Sequence, residues 1–215
     1  LEKAFGWSRS DISLAIAINV LLFGLVSPFA AALMEKFGIR KVVMSALTTV
    51  SFGAFLTIFI QAPWQLIATW GVIVGTGTGS MALVFAATVA NRWFVAKRGL
   101  VTGLLTAATA TGQLIFLPGL AYLADTYSWK SVSITVSSFA LLVVPFVYFF
   151  LREKPADLGL LPYGAPDSWQ PPAPSDLSAG VLAIDTLRQS AKKKDFCYLF
   201  GSFYVCGLST SGLIG

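Results

Sequence analysis

The chain has 215 residues, of which 56% are hydrophobic and 12% charged, with a net charge of +5 and a mean hydropathy of +0.76. Soluble domains run at about 45–50% apolar and about 25% charged residues, so this chain cannot supply the polar shell that a soluble core of its size needs. A nucleic-acid-binding reading of the positive charge requires basic residues gathered on one exposed face; here they fall in short stretches between apolar runs, the pattern of an integral membrane protein.

In chain order, residues 1–11 are polar enough to lie outside a membrane, with Phe5 and Trp7 suited to its interface and Ser8-Arg9-Ser10-Asp11 to a helix N-cap. The first span is predicted over 12–34. Its polar residues are Asn19 and Ser27, and Pro28 is a place for a kink. A polar side chain in a span bonds a neighbouring helix or lines a pathway, and both readings of Asn19 stand. Glu35-Lys36-Phe37-Gly38-Ile39-Arg40-Lys41 forms a tight charged turn, with Gly38 where a helix C-terminus takes a positive φ.

A second span is predicted over 42–61 and a third over 65–90, with Pro63-Trp64 between them. The third contains Gly75-Thr76-Gly77-Thr78-Gly79, which invites comparison with a phosphate-cradling loop. No lysine follows it, the third glycine is misplaced for a dinucleotide fingerprint, and no strand precedes it. Gly71, Gly75 and Gly79 recur every four residues instead, which lets another helix approach closely.

The basic, aromatic stretch Asn91-Arg92-Trp93-Phe94-Val95-Ala96-Lys97-Arg98-Gly99 is a loop between two runs without ionisable residues, from Lys41 to Arg92 and from Arg98 to Asp125. About 20 apolar residues at about 1.5 Å each cross the hydrocarbon core. The fourth span, 99–124, sets Thr102, Thr106, Thr109 and Gln113 along one helix face. Such a face looks at protein or water, as interhelical hydrogen bonding or as a solvated pathway.

A fifth span is predicted over 131–151, carrying Pro145, and residues 152–194 then turn polar and proline-rich, an extended linker. Residues 177–191 suit a surface amphipathic helix anchored by Lys192, Lys193 and Lys194, before a sixth apolar segment at 195–215. Its two cysteines, Cys197 and Cys206, would sit roughly 13 Å apart along a helix, beyond disulfide reach, and read as packing residues. Twelve of the fifteen lysines and arginines fall on the side of the 35–41 turn, the 91–98 turn and the linker, which predicts that side as cytoplasmic. A chain that begins with Leu1 outside, shows no signal peptide and stops within an apolar run reads as a piece of a longer protein.

Ala31-Ala32-Leu33-Met34-Glu35-Lys36-Phe37-Gly38-Ile39-Arg40 resembles the loop signature between the second and third helices of the major facilitator superfamily. Leu33, Lys36, Gly38 and Arg40 fit, while Ala31 and Glu35 stand where the family has glycine and aspartate; Gly71 stands where the family's fourth helix usually carries an arginine. Arg92-Trp93-Phe94-Val95-Ala96-Lys97-Arg98-Gly99-Leu100-Val101-Thr102-Gly103 is similar to the motif before the fifth helix of monocarboxylate transporters and oxalate/formate antiporters. Gly6-Trp7, Asp157-Leu158-Gly159-Leu160 and Pro162-Tyr163-Gly164 look like the same branch.

The resemblance implies an all-α membrane bundle: family helices two to six in 1–151, the cytoplasmic linker in 152–194 and the start of helix seven in 195–215. Two six-helix bundles would rock about a central site. Family geometry implies Asn19, Trp70, Thr78, Met81, Thr109, Gln113 and Phe116 as substrate-pathway residues. Glu35, Lys36, Gly38, Arg40, Arg92, Lys97 and Arg98 are the expected cytoplasmic gate. The expected function is secondary transport of a small organic anion, a monocarboxylate, across the plasma membrane of a bacterial-type cell, coupled to a proton or counter-substrate. No cofactor, metal or nucleic acid is expected, and lipid is the surrounding partner. A receptor or sensor, or a transporter of another metabolite or drug, is the alternative. A membrane-embedded enzyme needs a nucleophile, a metal cluster or paired acids at membrane depth, which these spans do not carry.

Overall fold

The computed structural model describes residues 5–81, 83–166 and 179–207. They divide into two units, Leu1–Pro174 and Ser175–Gly215. Five helices of the first unit are long and apolar enough to cross a membrane: α1 (Arg9–Phe37), α2 (Ile39–Thr57), α3 (Pro63–Trp93), α4 (Arg98–Thr126) and α5 (Trp129–Phe150). The fold is an all-α membrane bundle. Every one of the five helices begins before its expected apolar span, whereas α2 stops at Thr57, short of the expected end at 61. The Ser8 hydroxyl begins α1 by accepting from the Asp11 N–H at 3.2 Å. Gly38, at φ 92°, ends it and donates its N–H to Met34 O at 3.1 Å, so that α2 starts at the very next residue.

α2 is the most buried helix of the bundle. Ile39, Val42, Val43, Ala46, Leu47, Ser51, Ala54 and Thr57 follow one another at helical spacing and are all buried. It packs between α5 and α3. Against α5, the Ser51 hydroxyl donates to Ser137 O and the Ser137 hydroxyl donates to Ser51 O, both at 2.9 Å. This reciprocal pair satisfies two buried hydroxyls where lipid offers them no partner.

α3 opens on Pro63, with the Gln65 side-chain oxygen accepting from the Gln61 N–H at 2.6 Å. Its Ile67–Val74 turns are wound wide, as π-helix, before Gly75–Gly79 tightens again and Leu83–Trp93 follows. The four-residue glycine repeat lies against α1. A methyl group on Gly75 would come within 3.0 Å of Asn19 Cα, and one on Gly79 within 2.9 Å of Phe23 Cα. Only glycine lets the two backbones meet at this distance.

Two apolar clusters close the ends of the bundle. At the end carrying the basic turns, Met34, Ile39, Val42, Val43 and Leu47 pack with Met81, Phe85, Val89, Val144 and Val147. At the other end Ala15, Ile60 and Leu66 pack with Phe5, Trp7, Trp70 and Trp129. Phe5 stacks on Trp7 at 4.5 Å and leans on Trp129 at 5.6 Å. α4 buries none of its residues.

The stretch after α5, expected as extended linker from residue 152, folds back on the basic end. Pro155–Leu158 forms a 3-10 turn, Pro155 and Pro162 are buried, and Tyr163 pairs with Phe94 in a single β-bridge. In the second unit α6 (Ala179–Ala191) and α7 (Lys194–Gly207) follow one another, joined through Lys192 and Lys193. Cys197 and Cys206 are both exposed on α7. Pro171, Pro172 and Pro174, the expected helix start at Leu177 and residues 208–215 lie outside the described residues.

Candidate functional site

The densest polar geometry sits at the basic end, and an acid from beyond the fifth helix organises it. The Glu153 carboxylate accepts from the Ile39 N–H at 2.6 Å and from the Arg40 N–H at 3.0 Å, so it caps the N-terminus of α2. An anion there meets unpaired N–H groups and the positive end of the helix dipole. Gly38 makes room for it, since a methyl group at that position would come within 2.5–2.7 Å of the carboxylate.

Two arginines complete the cluster. Arg92, at the end of α3, donates one terminal nitrogen to Met34 O at 2.8 Å and brings the other to 3.5 Å from the Glu153 carboxylate. Arg40 donates Nε to Leu151 O at 2.9 Å and lies 5.8 Å from the Tyr148 ring centre. Thus the C-termini of α1, α3 and α5 and the N-terminus of α2 are joined through three side chains. Arg92 and Glu153 are 24% and 29% exposed, so water reaches the pair and can compete for it.

Of the expected gate residues, the structure brings Gly38, Arg40 and Arg92 together around Glu153. Glu35 is exposed and makes no ion pair or side-chain hydrogen bond among the described residues. Lys36 lies over the ring of its neighbour Phe37, Lys97 begins α4 at φ 58°, and Arg98 donates to Phe94 O at 2.6 Å. Sequence reasoning missed Glu153, which read as one charge in a polar linker. Its available signal was an acid two residues past an apolar run ending on the same side as a glycine-headed helix.

The expected pathway residues divide into two groups. The Asn19 amide donates to Trp70 O at 2.7 Å, within the wide turns of α3, and so joins α1 to α3. The Thr78 hydroxyl bonds its own helix at Val74 O, 3.0 Å away, and Met81 packs into the basic-end apolar cluster. On α4, Thr102, Thr106 and Thr109 donate to the carbonyls of Arg98, Thr102 and Leu105 at 2.8–3.2 Å. Gln113 and Phe116 line a shallow groove of about 540 Å³ with Gly112, Leu117 and Leu120. Among the described residues the Gln113 amide makes no hydrogen bond and is exposed to that groove. Among the same residues, no three His, Cys, Asp or Glu side chains come together as a metal site would require.

The chain is similar in sequence to several transporters. Monocarboxylate transporter 11 of Homo sapiens is 29% identical over 192 residues, covering 87% of this chain and 38% of that protein. Monocarboxylate transporter 13 of Rattus norvegicus is 32% identical over 132 residues, 60% of this chain and 30% of that protein. The uncharacterized MFS-type transporter YcxA of Bacillus subtilis is 27% identical over 158 residues, 72% of this chain and 38% of that protein. The chain thus spans about a third of the length of these relatives. Its residues 1–214 match the Major Facilitator Superfamily, and with five membrane-length helices in an all-α bundle the chain belongs to that superfamily.

Proposed function

We propose that the protein containing this chain is a secondary active transporter of a small organic anion, a monocarboxylate, working by alternating access. The observation that carries this reading is the superfamily match over residues 1–214, joined to similarity with proteins named monocarboxylate transporters. Gln113 supports it chemically. Its amide faces a groove whose other walls are apolar, and an N–H of that amide can donate to one carboxylate oxygen while Phe116 and Leu117 cover the alkyl part. A neutral donor orients an anion without trapping it; the balancing charge belongs to the coupled proton or counter-substrate.

The Glu153, Arg92 and Arg40 cluster then acts at the cytoplasmic side, a reading that the excess of lysine and arginine at this end supports. It holds the ends of α1, α2, α3 and α5 as one body, so that this half tilts as a unit when the access side changes. The localisation that follows is the plasma membrane, with residues 152–194 in the cytoplasm.

Reconstituted full-length protein tests the proposal. Proteoliposomes should accumulate radiolabelled pyruvate, lactate should compete, and an uncharged sugar should not. A pH gradient alone driving uptake identifies a proton symporter, and a requirement for internal pyruvate identifies an exchanger. Accumulation of no carboxylate under either condition refutes the substrate reading.

A further inference from the structure

Tyr163 and Gly164 lie outside the Glu153 cluster and the groove, yet their backbone is closely specified. The Tyr163 N–H donates to Trp93 O at 2.8 Å, and Tyr163 O accepts from both Val95 N–H and Ala96 N–H, at 2.9 and 3.1 Å. The Tyr163 ring leans on Phe94 with centres 6.0 Å apart. Gly164 follows at φ 77°, and a methyl group there would run into the Ala96 side chain and come within 3.1 Å of Ala96 N.

These bonds hold Trp93 at the end of α3 and the turn at Val95 and Ala96 that launches α4. That turn ends at Lys97, which caps α4 without a side-chain bond, and α4 itself buries no residue in this unit. Its neighbours are therefore a weak constraint on its rotation and height. Upstream, the chain leading to Tyr163 is fixed to α2 through Glu153 and to itself through the Pro155–Leu158 turn. We propose that residues 162–164 form a strap that positions α4, with Tyr163 and Gly164 as positioning residues for the groove that Gln113 lines. The strap ties the turn before α4 to the end of α3 and to the chain that follows α5, so a slide or rotation of α4 that displaces this turn breaks the two backbone hydrogen bonds from Val95 and Ala96. The link to substrate rests on the transport reading above.

The test uses the full-length protein in nanodiscs, cysteine-free except for Thr102→Cys near the start of α4. Gly164→Ala should raise the maleimide modification rate at that cysteine about fivefold, as an untied helix end opens more often. Gly159→Ala is the control, because Gly159 has a similar φ of 70° but open space around it, and it should leave the rate unchanged. Adding Ala96→Gly to Gly164→Ala removes the colliding methyl group and should bring the rate most of the way back, the strain of alanine at φ 77° and the approach to the residue 96 backbone N remaining. Where Gly164→Ala does not fold, Ala96→Val presses on the same contact from the other side and should raise the rate likewise. In proteoliposomes Gly164→Ala should raise the pyruvate KM about threefold with Vmax nearly unchanged, and Ala96→Gly should reverse most of this. Equal modification rates in the Gly164→Ala and Gly159→Ala proteins, or no rescue by Ala96→Gly, overturn the strap. Altered modification with an unchanged KM overturns the positioning role. A parent protein that accumulates no pyruvate refutes the substrate reading alone, and the modification rates still decide the strap.

Discussion

Replacing Glu153 tests the basic-end cluster most directly. Glu153→Gln removes the charge but keeps one oxygen able to accept from Ile39 N–H or Arg40 N–H. Hydrogen bonds to a charged group are worth about 1.5–3 kcal/mol against about 0.5–1.5 for neutral ones. An anion at a helix N-terminus adds about 0.3–1 kcal/mol. The Arg92 pair, at 3.5 Å and about a quarter exposed on each side, adds no more than about 1 kcal/mol. These overlap, so Glu153→Gln should cost about 1–3 kcal/mol. Glu153→Ala should cost about 1 kcal/mol more, because Ile39 is fully buried and its N–H is then left without an acceptor. Reversible unfolding of the full-length protein in mixed micelles, followed by tryptophan fluorescence, measures both. The pair should also be non-additive with Gly38→Ala, whose collision with the carboxylate disappears once residue 153 is alanine. A Glu153→Gln protein within about 0.3 kcal/mol of the parent, or strict additivity with Gly38→Ala, refutes the cap as described.

Three further outcomes are expected. Gly79→Val should cost about 1–3 kcal/mol by forcing α3 away from Phe23, measured by the same unfolding, whereas Gly119→Val, with open space around it, should cost much less. Ser51→Ala and Ser137→Ala should each destabilise by about 1 kcal/mol, and a double-mutant cycle should show only the coupling of the direct hydroxyl–hydroxyl contact at 3.1 Å, because each hydroxyl's backbone acceptor survives the other substitution. Gln113→Ala should weaken pyruvate binding by about 0.5–1.5 kcal/mol, read as the KM for uptake, with folded yield unchanged because the amide bonds nothing among the described residues.

The five membrane helices were legible because an apolar run of spanning length is a local property of the chain, and so was the glycine repeat, whose four-residue period needs only a helix to define a face. The turn at Gly38 was legible for the same reason: a positive φ is asked of one residue. Contacts across the sequence were not. Glu153 reaches Ile39 across 114 positions, and no local pattern distinguishes it from Glu35, which is nearer, flanked by similar cations and left without such a bond. Asn19 shows the same limit. A polar residue in a span announces that it needs a partner, but the partner is a carbonyl at Trp70 within a widened turn, and that widening has no signature in the apolar residues that form it.

The two ends of the bundle are held by different physics, and this bears on how it moves. The aromatic end rests on Phe5, Trp7, Trp129 and Trp70 in apolar contact, which is non-directional and tolerates small sliding. The basic end rests on hydrogen bonds of 2.6–3.0 Å around Glu153 and Arg40, which are directional and are either made or lost. Between them, the glycine seam fixes α1 against α3, and the Ser51–Ser137 pair fixes α2 against α5. Four helices are thereby joined into a frame at several depths. α4 shares none of these buried bonds, and its firmest ties are at the turn where Tyr163 receives it. A displacement that the frame resists is therefore taken up first by α4, the helix that carries Gln113.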